Sequence, residues 1–159
     1  MRNTTLLFLI KKKDDGISHI CLAMKKRSFG AGRWNGTGGK LNEGESVEDA
    51  VVRETEEEIG VLAGDFKKIA ELSFIFPHES SWDQTTHVYF CEDWEGEPIE
   101  TEEMNPKWFS VDDLPFSQMW PDDVFWLPRA IKGDLVRGSF TFGENDVVLE
   151  KMVEAVDCF

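Results

Sequence analysis

Cysteine is scarce and unpatterned: Cys21, Cys91 and Cys158 are odd in number and far apart, giving neither a disulfide framework nor zinc-ligand spacing. A reducing compartment fits that usage. No apolar run approaches the ~20 residues of a membrane span, and the opening LLFLI meets KKK at once, which does not read as a secretory signal. Cations are outnumbered, with 17 Lys and Arg against 31 Asp and Glu, for a formal charge of -14. Binding a nucleic-acid polymer rests on a basic face that neutralises many phosphates, so such a partner is not expected. A small nucleotide carried in with a divalent metal meets no such bar. Linkers, internal repeats and low-complexity tails are also missing. With 159 residues and 41% hydrophobic content, the chain has enough for one core and too little for two. The expectation is a single domain over residues 1–159, a monomer, soluble and cytoplasmic.

What is present concentrates between Gly39 and Val61, in GKLNEGESVEDAVVRETEEEIGV. Ser46 with Asp49 three residues on has the form of a capping box, and Gly60 stands where a left-handed residue ends a helix. This spacing predicts a helix from Val47 to Ile59. At about 100° per residue, Val47, Ala50 and Val51 share a face that Glu54, Glu57 and Glu58 continue one turn later. Three carboxylates beside a core-facing stripe repel one another and resist desolvation unless a cation sits among them. Oxygen-only ligands select Mg²⁺ or Mn²⁺. Arg53 precedes Glu57 by four residues, a spacing that lets its guanidinium hold that carboxylate in one rotamer.

ETEEE alone reads as a solvated acidic helix. Its wider frame does not: seven specified letters at roughly 7% usage each coincide about once in 10⁸ positions, and a hundredfold allowance for acidic bias leaves chance implausible. The pattern resembles the Nudix box, G-x5-E-x7-R-E-U-x-E-E-x-G-U with U aliphatic. Gly39, Glu45, Arg53, Glu54, Glu57, Glu58, Gly60 and Val61 match it. Thr55 departs from it, putting a hydroxyl at an aliphatic position. The resemblance implies an α/β/α sandwich with a mixed β-sheet between helices. The coarse reading of the chain agrees: strands at Thr4 to Ile10, Ile17 to Met24, Lys68 to Phe76, Thr85 to Cys91 and Trp108 to Val111, a second helix from Pro121 toward Ile131 with Pro128 inside it, and a closing hairpin of Leu135 to Phe142 and Val147 to Val156.

Upstream of the box, KKRSFGAGRWNGTGGK gathers Lys25, Lys26, Arg27, Arg33 and Lys40 among five glycines. Such a loop can meet phosphates through backbone N–H groups and ammonium charge, although a basic surface loop explains it equally when taken alone. MKKRSFGAGRWNGTGGK together with MWPDDVFW, EEMNPKWF and the C-terminal FTF is similar to the 8-oxo-dGTP diphosphatase branch, the oxidised purine nucleoside triphosphate hydrolases of animals. That resemblance implies that Asn35, Asp122 and Asp123 read the purine edge and that Trp120, after which Pro121 follows, stacks on the base. It places Thr5, Phe29 and Phe74 in the same pocket. Lys25, Thr37, Gly38, Gly39 and Lys40 complete the implied substrate set.

For metal, the resemblance implies Glu54, Glu57 and Glu58 with the Gly38 carbonyl and Glu103, Arg53 orienting them, and hydrolysis to monophosphate and pyrophosphate. Glu58 and Glu103 are both candidates for the general base, although a metal-bound hydroxide could need neither as its sole proton acceptor. Two adjacent carboxylates in an apolar pocket are unlike two surface ones, since the pair retains a proton and presents a donor beside an acceptor. Asp122 and Asp123 at a helix N-terminus also suit ordinary capping. Thr37 stands where vertebrate relatives carry an aromatic residue, and PHESSWDQTT, with Trp82 and Gln84, departs from the family and is expected to rebuild part of the pocket wall. Two rival readings keep the metal helix: a Nudix hydrolase for ADP-ribose or a dinucleoside polyphosphate, and a non-enzymatic nucleotide-binding module.

Overall fold

The computed structural model describes all 159 residues. Its first strand explains the architecture. TTLLFLI in β1 (Arg2–Lys13) is a nearly continuous apolar run, as expected of a strand buried on both faces. Leu7 and Leu9 join one core cluster and Phe8 and Ile10 another, so the two faces of β1 open onto separate layers. β1 turns through Asp14, in the left-handed region, into β2 (Gly16–Lys25). After the short β3 (Trp34–Asn35) comes helix α1 (Val47–Ile59), whose Val51 and Ile59 cover the Leu7 and Leu9 face.

The chain continues through β4 (Leu62–Ala63), β5 (Phe66–Ile75), β6 (Gln84–Cys91), β7 (Trp94–Glu95) and β8 (Met104–Ser110). Helix α2 (Asp123–Ile131) follows, then β9 (Leu135–Phe142) and β10 (Val148–Val156). The main sheet runs β10-β9-β5-β6-β1-β2-β3, with β8 also paired to β2 and a separate β4-β7 ribbon. β1 is parallel to β6 and β5 parallel to β9, while the other neighbours are antiparallel. Trp126, Leu127 and Ala130 of α2 pack on the Phe8 face. A mixed sheet between two helices is the sandwich expected.

Helix α1 has the expected bounds and caps: Ser46 Oγ accepts from Asp49 N at 3.1 Å, and Gly60 has φ 71°. Elsewhere the boundaries move. β8 begins four residues before the expected Trp108, because Pro106 is tolerated in a strand paired on one side only. α2 starts at Asp123 instead of Pro121 and runs through Pro128. The short β3, β4 and β7 have no periodic signal at two residues each and were not expected.

Candidate active site

Gly36, Gly38 and Gly39 decide how the loop before α1 lies. A Cβ on Gly38 would sit 1.8 Å from the Thr5 carbonyl oxygen, and one on Gly36 2.5 Å from that of Leu7. Without side chains there, the loop lies against β1 as a further strand would: Thr5 N donates to Gly39 O at 2.9 Å, and Leu7 and Thr37 exchange backbone bonds at 2.7 and 2.9 Å. The far side of the loop meets α1, where Gly38 N donates to Glu58 Oε1 at 2.8 Å and Gly39 packs on Glu54.

Arg53 organises the helix differently from the i to i+4 expectation. Its guanidinium grips Glu45 through two bonds of 2.8 and 2.9 Å, takes Glu54 at 2.8 Å and the Lys40 carbonyl at 3.1 Å, and only grazes Glu57 at 3.3 Å. Glu57 is 55% exposed, whereas Glu58 is buried and Glu54 half-buried, so the three carboxylates do not share one face equally. The bidentate bond from Arg53 holds the Glu45 carboxyl down at about 2. Burial pushes Glu58 up to about 8, with Glu54 and Glu103 adding repulsion. Glu54 is raised by burial too, against the pull of Arg53.

These glutamates are not gathered into a ready-made three-ligand cluster. Arg53 and the Gly38 amide hold Glu54 and Glu58, and Glu103 faces Arg27 at 3.4 Å. The donor set nevertheless fits a hard divalent cation: two carboxylates are desolvated beside one another, a third adds charge, and Arg53 is already committed mainly to Glu45. A cation among them would offset the desolvation, and the smaller mutual repulsion, that raise both groups.

On the other face of the sheet opens a cavity of about 300 Å³. Phe29, Phe74, Phe76, Trp82, Trp120 and Phe142 form its aromatic walls, with Phe29 lying 5.2 Å from Trp82 and 5.1 Å from Trp120. Asn35, Asp122 and Asp123 supply polar atoms, while Lys25, Gly38, Gly39 and Lys40 lead from the cavity toward α1. Thr5 lines it as well, and its Oγ1 is buried without a partner, as is Oδ2 of Asp123. Capping does not explain the two aspartates: Asp122 precedes α2 but makes no side-chain cap, its Oδ2 accepting instead from Trp126 Nε1 at 2.8 Å. Burial raises both carboxyls, Asp123 the more so because Asp122 stands beside it.

Two expected contacts are elsewhere. Thr37 points into the α1-side core, where its Oγ1 lies 3.0 Å from that of Thr55, so it is a packing residue and not part of the cavity wall. Alternation along the loop carries Gly36 and Gly38 to one side and Thr37 to the other. Pro121 lies outside the lining and leads into α2. Trp82 and Gln84, expected to rebuild the wall, do line the cavity, with Gln84 receiving the Thr4 hydroxyl at 3.0 Å. Sequence reading missed Arg2, Phe76 and Phe142, which read only as strand residues or chain end.

Residues 2–130 match the NUDIX domain. The chain belongs to the Nudix family. This Nudix chain is 40% identical over 157 residues to the oxidized purine nucleoside triphosphate hydrolase of Danio rerio, covering 99% of each chain. It is 41% identical over 140 residues to the protein of the same description from Mus musculus, covering 88% of this chain and 89% of that one. A crystal structure of a MutT protein from Bacillus halodurans superposes with a TM-score of 0.80 at 21% identity, over 97% of this chain and 98% of the other, which shows the shared fold.

Proposed function

We propose that this Nudix protein hydrolyses oxidised purine nucleoside triphosphates, 8-oxo-dGTP and 2-hydroxy-dATP among them, to the monophosphate and pyrophosphate, using Mg²⁺ or Mn²⁺. The buried Asp122–Asp123 pair, set among aromatic rings in a cavity whose lining reaches Gly38 and Gly39, the residues that touch Glu58 and Glu54 of α1, carries this reading. The names of the Danio rerio and Mus musculus relatives support it.

The base enters the aromatic cavity, where Trp120 offers a stacking face and Asn35, Asp122 and Asp123 meet its polar edge. A proton kept on the aspartate pair gives one donor and one acceptor, and moving it between carboxyls suits the two oxidised edges in turn. Lys25 and Lys40 draw the phosphates across the Gly38–Gly39 loop toward Glu54, Glu57 and Glu58. Glu54, Glu57 and Glu58, with Glu103 and the Gly38 carbonyl, would hold the metal, which supplies charge neutralisation on the phosphates and makes the attacking water more acidic. Glu58 and Glu103 are the two candidates to take a proton from the attacking water. Such an enzyme would serve the cytoplasmic nucleotide pool as a monomer.

Pyrophosphate release from 8-oxo-dGTP, 2-hydroxy-dATP and dGTP with Mg²⁺ tests the reading. Specificity constants for the two oxidised nucleotides should exceed that for dGTP. Release from ADP-ribose or a dinucleoside polyphosphate in preference would transfer the chain to another Nudix substrate class. Glu58→Gln should fold normally by circular dichroism and lose turnover by orders of magnitude; near-normal turnover at saturating Mg²⁺ rejects its role.

A further inference from the structure

Arg33 and Asp146 stand outside the cavity, and the mechanism above uses neither. The Arg33 guanidinium carbon lies 4.3 Å from the centre of the Trp120 ring. Nη1 of Arg33 donates to Asp146 Oδ2 at 2.7 Å, with the two side chains only 26% and 25% exposed. Trp120 lines the cavity while Arg33 does not, so the cation backs the indole from behind the wall. A planar guanidinium over an indole is attracted to its electron-rich face and, with Nη1 anchored on Asp146, favours one plane of the ring. Trp120 also packs on Gly30 and on the rings of Phe29 at 5.1 Å and Phe142 at 5.7 Å, but Arg33 is the cation over its face.

The anchor is delivered by unfavourable backbone. Asn145 and Asp146 have φ of 62° and 59°, two consecutive left-handed residues without glycine in the turn between β9 and β10. Glycine would relieve that conformation, and only an aspartate at 146 sets a carboxylate on Arg33. Asp146 also lies beyond residues 2–130, so this contact ties the C-terminal hairpin to the wall of the NUDIX domain. The charge of Arg33 further favours the ionised forms of Asp122 and Asp123, placing it near the base-reading pair.

We infer that Arg33, locked by Asp146, is a positioning residue that holds Trp120 in the orientation needed to stack on a purine, so that the C-terminal hairpin sets base affinity. The inference rests on the nucleotide reading of the cavity. It is tested by steady-state kinetics on 8-oxo-dGTP together with thermal melts. Arg33→Gln and Asp146→Gly should each raise KM about tenfold with kcat within about twofold, the signature of lost ground-state binding. Arg33→Lys, which keeps the charge without the flat stack, should recover part of the loss. Asp146→Gly should melt no lower than wild type because it relieves the turn, and Asn145→Gly, which relieves the same turn but keeps the carboxylate, should leave KM unchanged.

Lower melting temperatures with wild-type KM in Arg33→Gln and Asp146→Gly would overturn this role while leaving the functional reading intact. A rise in KM for Asn145→Gly matching that of Asp146→Gly would overturn it as well, since the turn and not the carboxylate would then be responsible. A wild type that neither binds nor hydrolyses any purine triphosphate would remove both.

Discussion

Thr55, the one box position that departs from pattern, invites an apparent repair to valine, and the structure predicts that the repair destabilises the protein. Thr55 is wholly buried and donates to the Val51 carbonyl at 2.8 Å, which uses its only proton. At the 3.0 Å contact with Thr37, the Thr37 hydroxyl is therefore the donor. Thr37 is 3% exposed, and its alternative acceptor, the Leu7 carbonyl at 3.4 Å, already takes the Thr37 amide. Removing the Thr55 oxygen leaves this buried donor only the long 3.4 Å bond to Leu7, at a cost of about 2 kcal/mol. Thr37→Val leaves Thr55 bonded to Val51, so its cost is about 1 kcal/mol. The double variant strands nothing and should fall short of the sum by about 1 kcal/mol. In urea, with a slope of about 2 kcal/mol/M, Thr55→Val lowers the unfolding midpoint by roughly 1 M. Additive costs, or a Thr55→Val variant more stable than wild type, would refute the pairing.

Gly38→Ala should cost about 3 kcal/mol or abolish turnover, because its Cβ would fall 1.8 Å from a backbone oxygen that has no room to retreat. Gly16→Ala, with nothing within 4 Å, is the matched control, and a Gly38→Ala protein with wild-type melting and turnover contradicts the loop packing. The aspartate pair gives a pH prediction. Burial raises both carboxyls above the ordinary aspartate value of 3.8, so the folded protein holds more protons than the unfolded chain above about pH 4, and stability falls as pH rises from there through the folded pKa values. Asp123→Asn removes the larger of the two buried ionisations, so its stability relative to wild type should climb between pH 4.5 and 8 in metal-free urea melts. A constant difference across that range would show that the pair is not shifted.

Much of this was legible in the chain because local chemistry fixes it. Ser46, the i+3 spacing to Asp49 and the left-handed Gly60 act within one or two turns, so α1 was bounded correctly from letters alone. The apolar run of β1 and the alternation of β9 likewise declare their burial through period. Arg53 was recognisable as an orienting residue, but its main partner was not, since Glu45 reaches it only after the loop before α1 folds back on the helix. Thr37 was placed in the pocket by its position in the glycine loop, and alternation against β1 sends it to the opposite core.

The acidic helix and its caps, the scarcity of cysteine and the identity of the family belong to the sequence itself, because short-range spacing and composition specify them. Which carboxylates are desolvated, which rings enclose the cavity, and that a turn near the C-terminus reaches back to Arg33 depend on pairings across the sheet. Those contacts join residues as far as 113 positions apart, the separation of Arg33 and Asp146, and only the folded packing of two layers on one sheet brings them together.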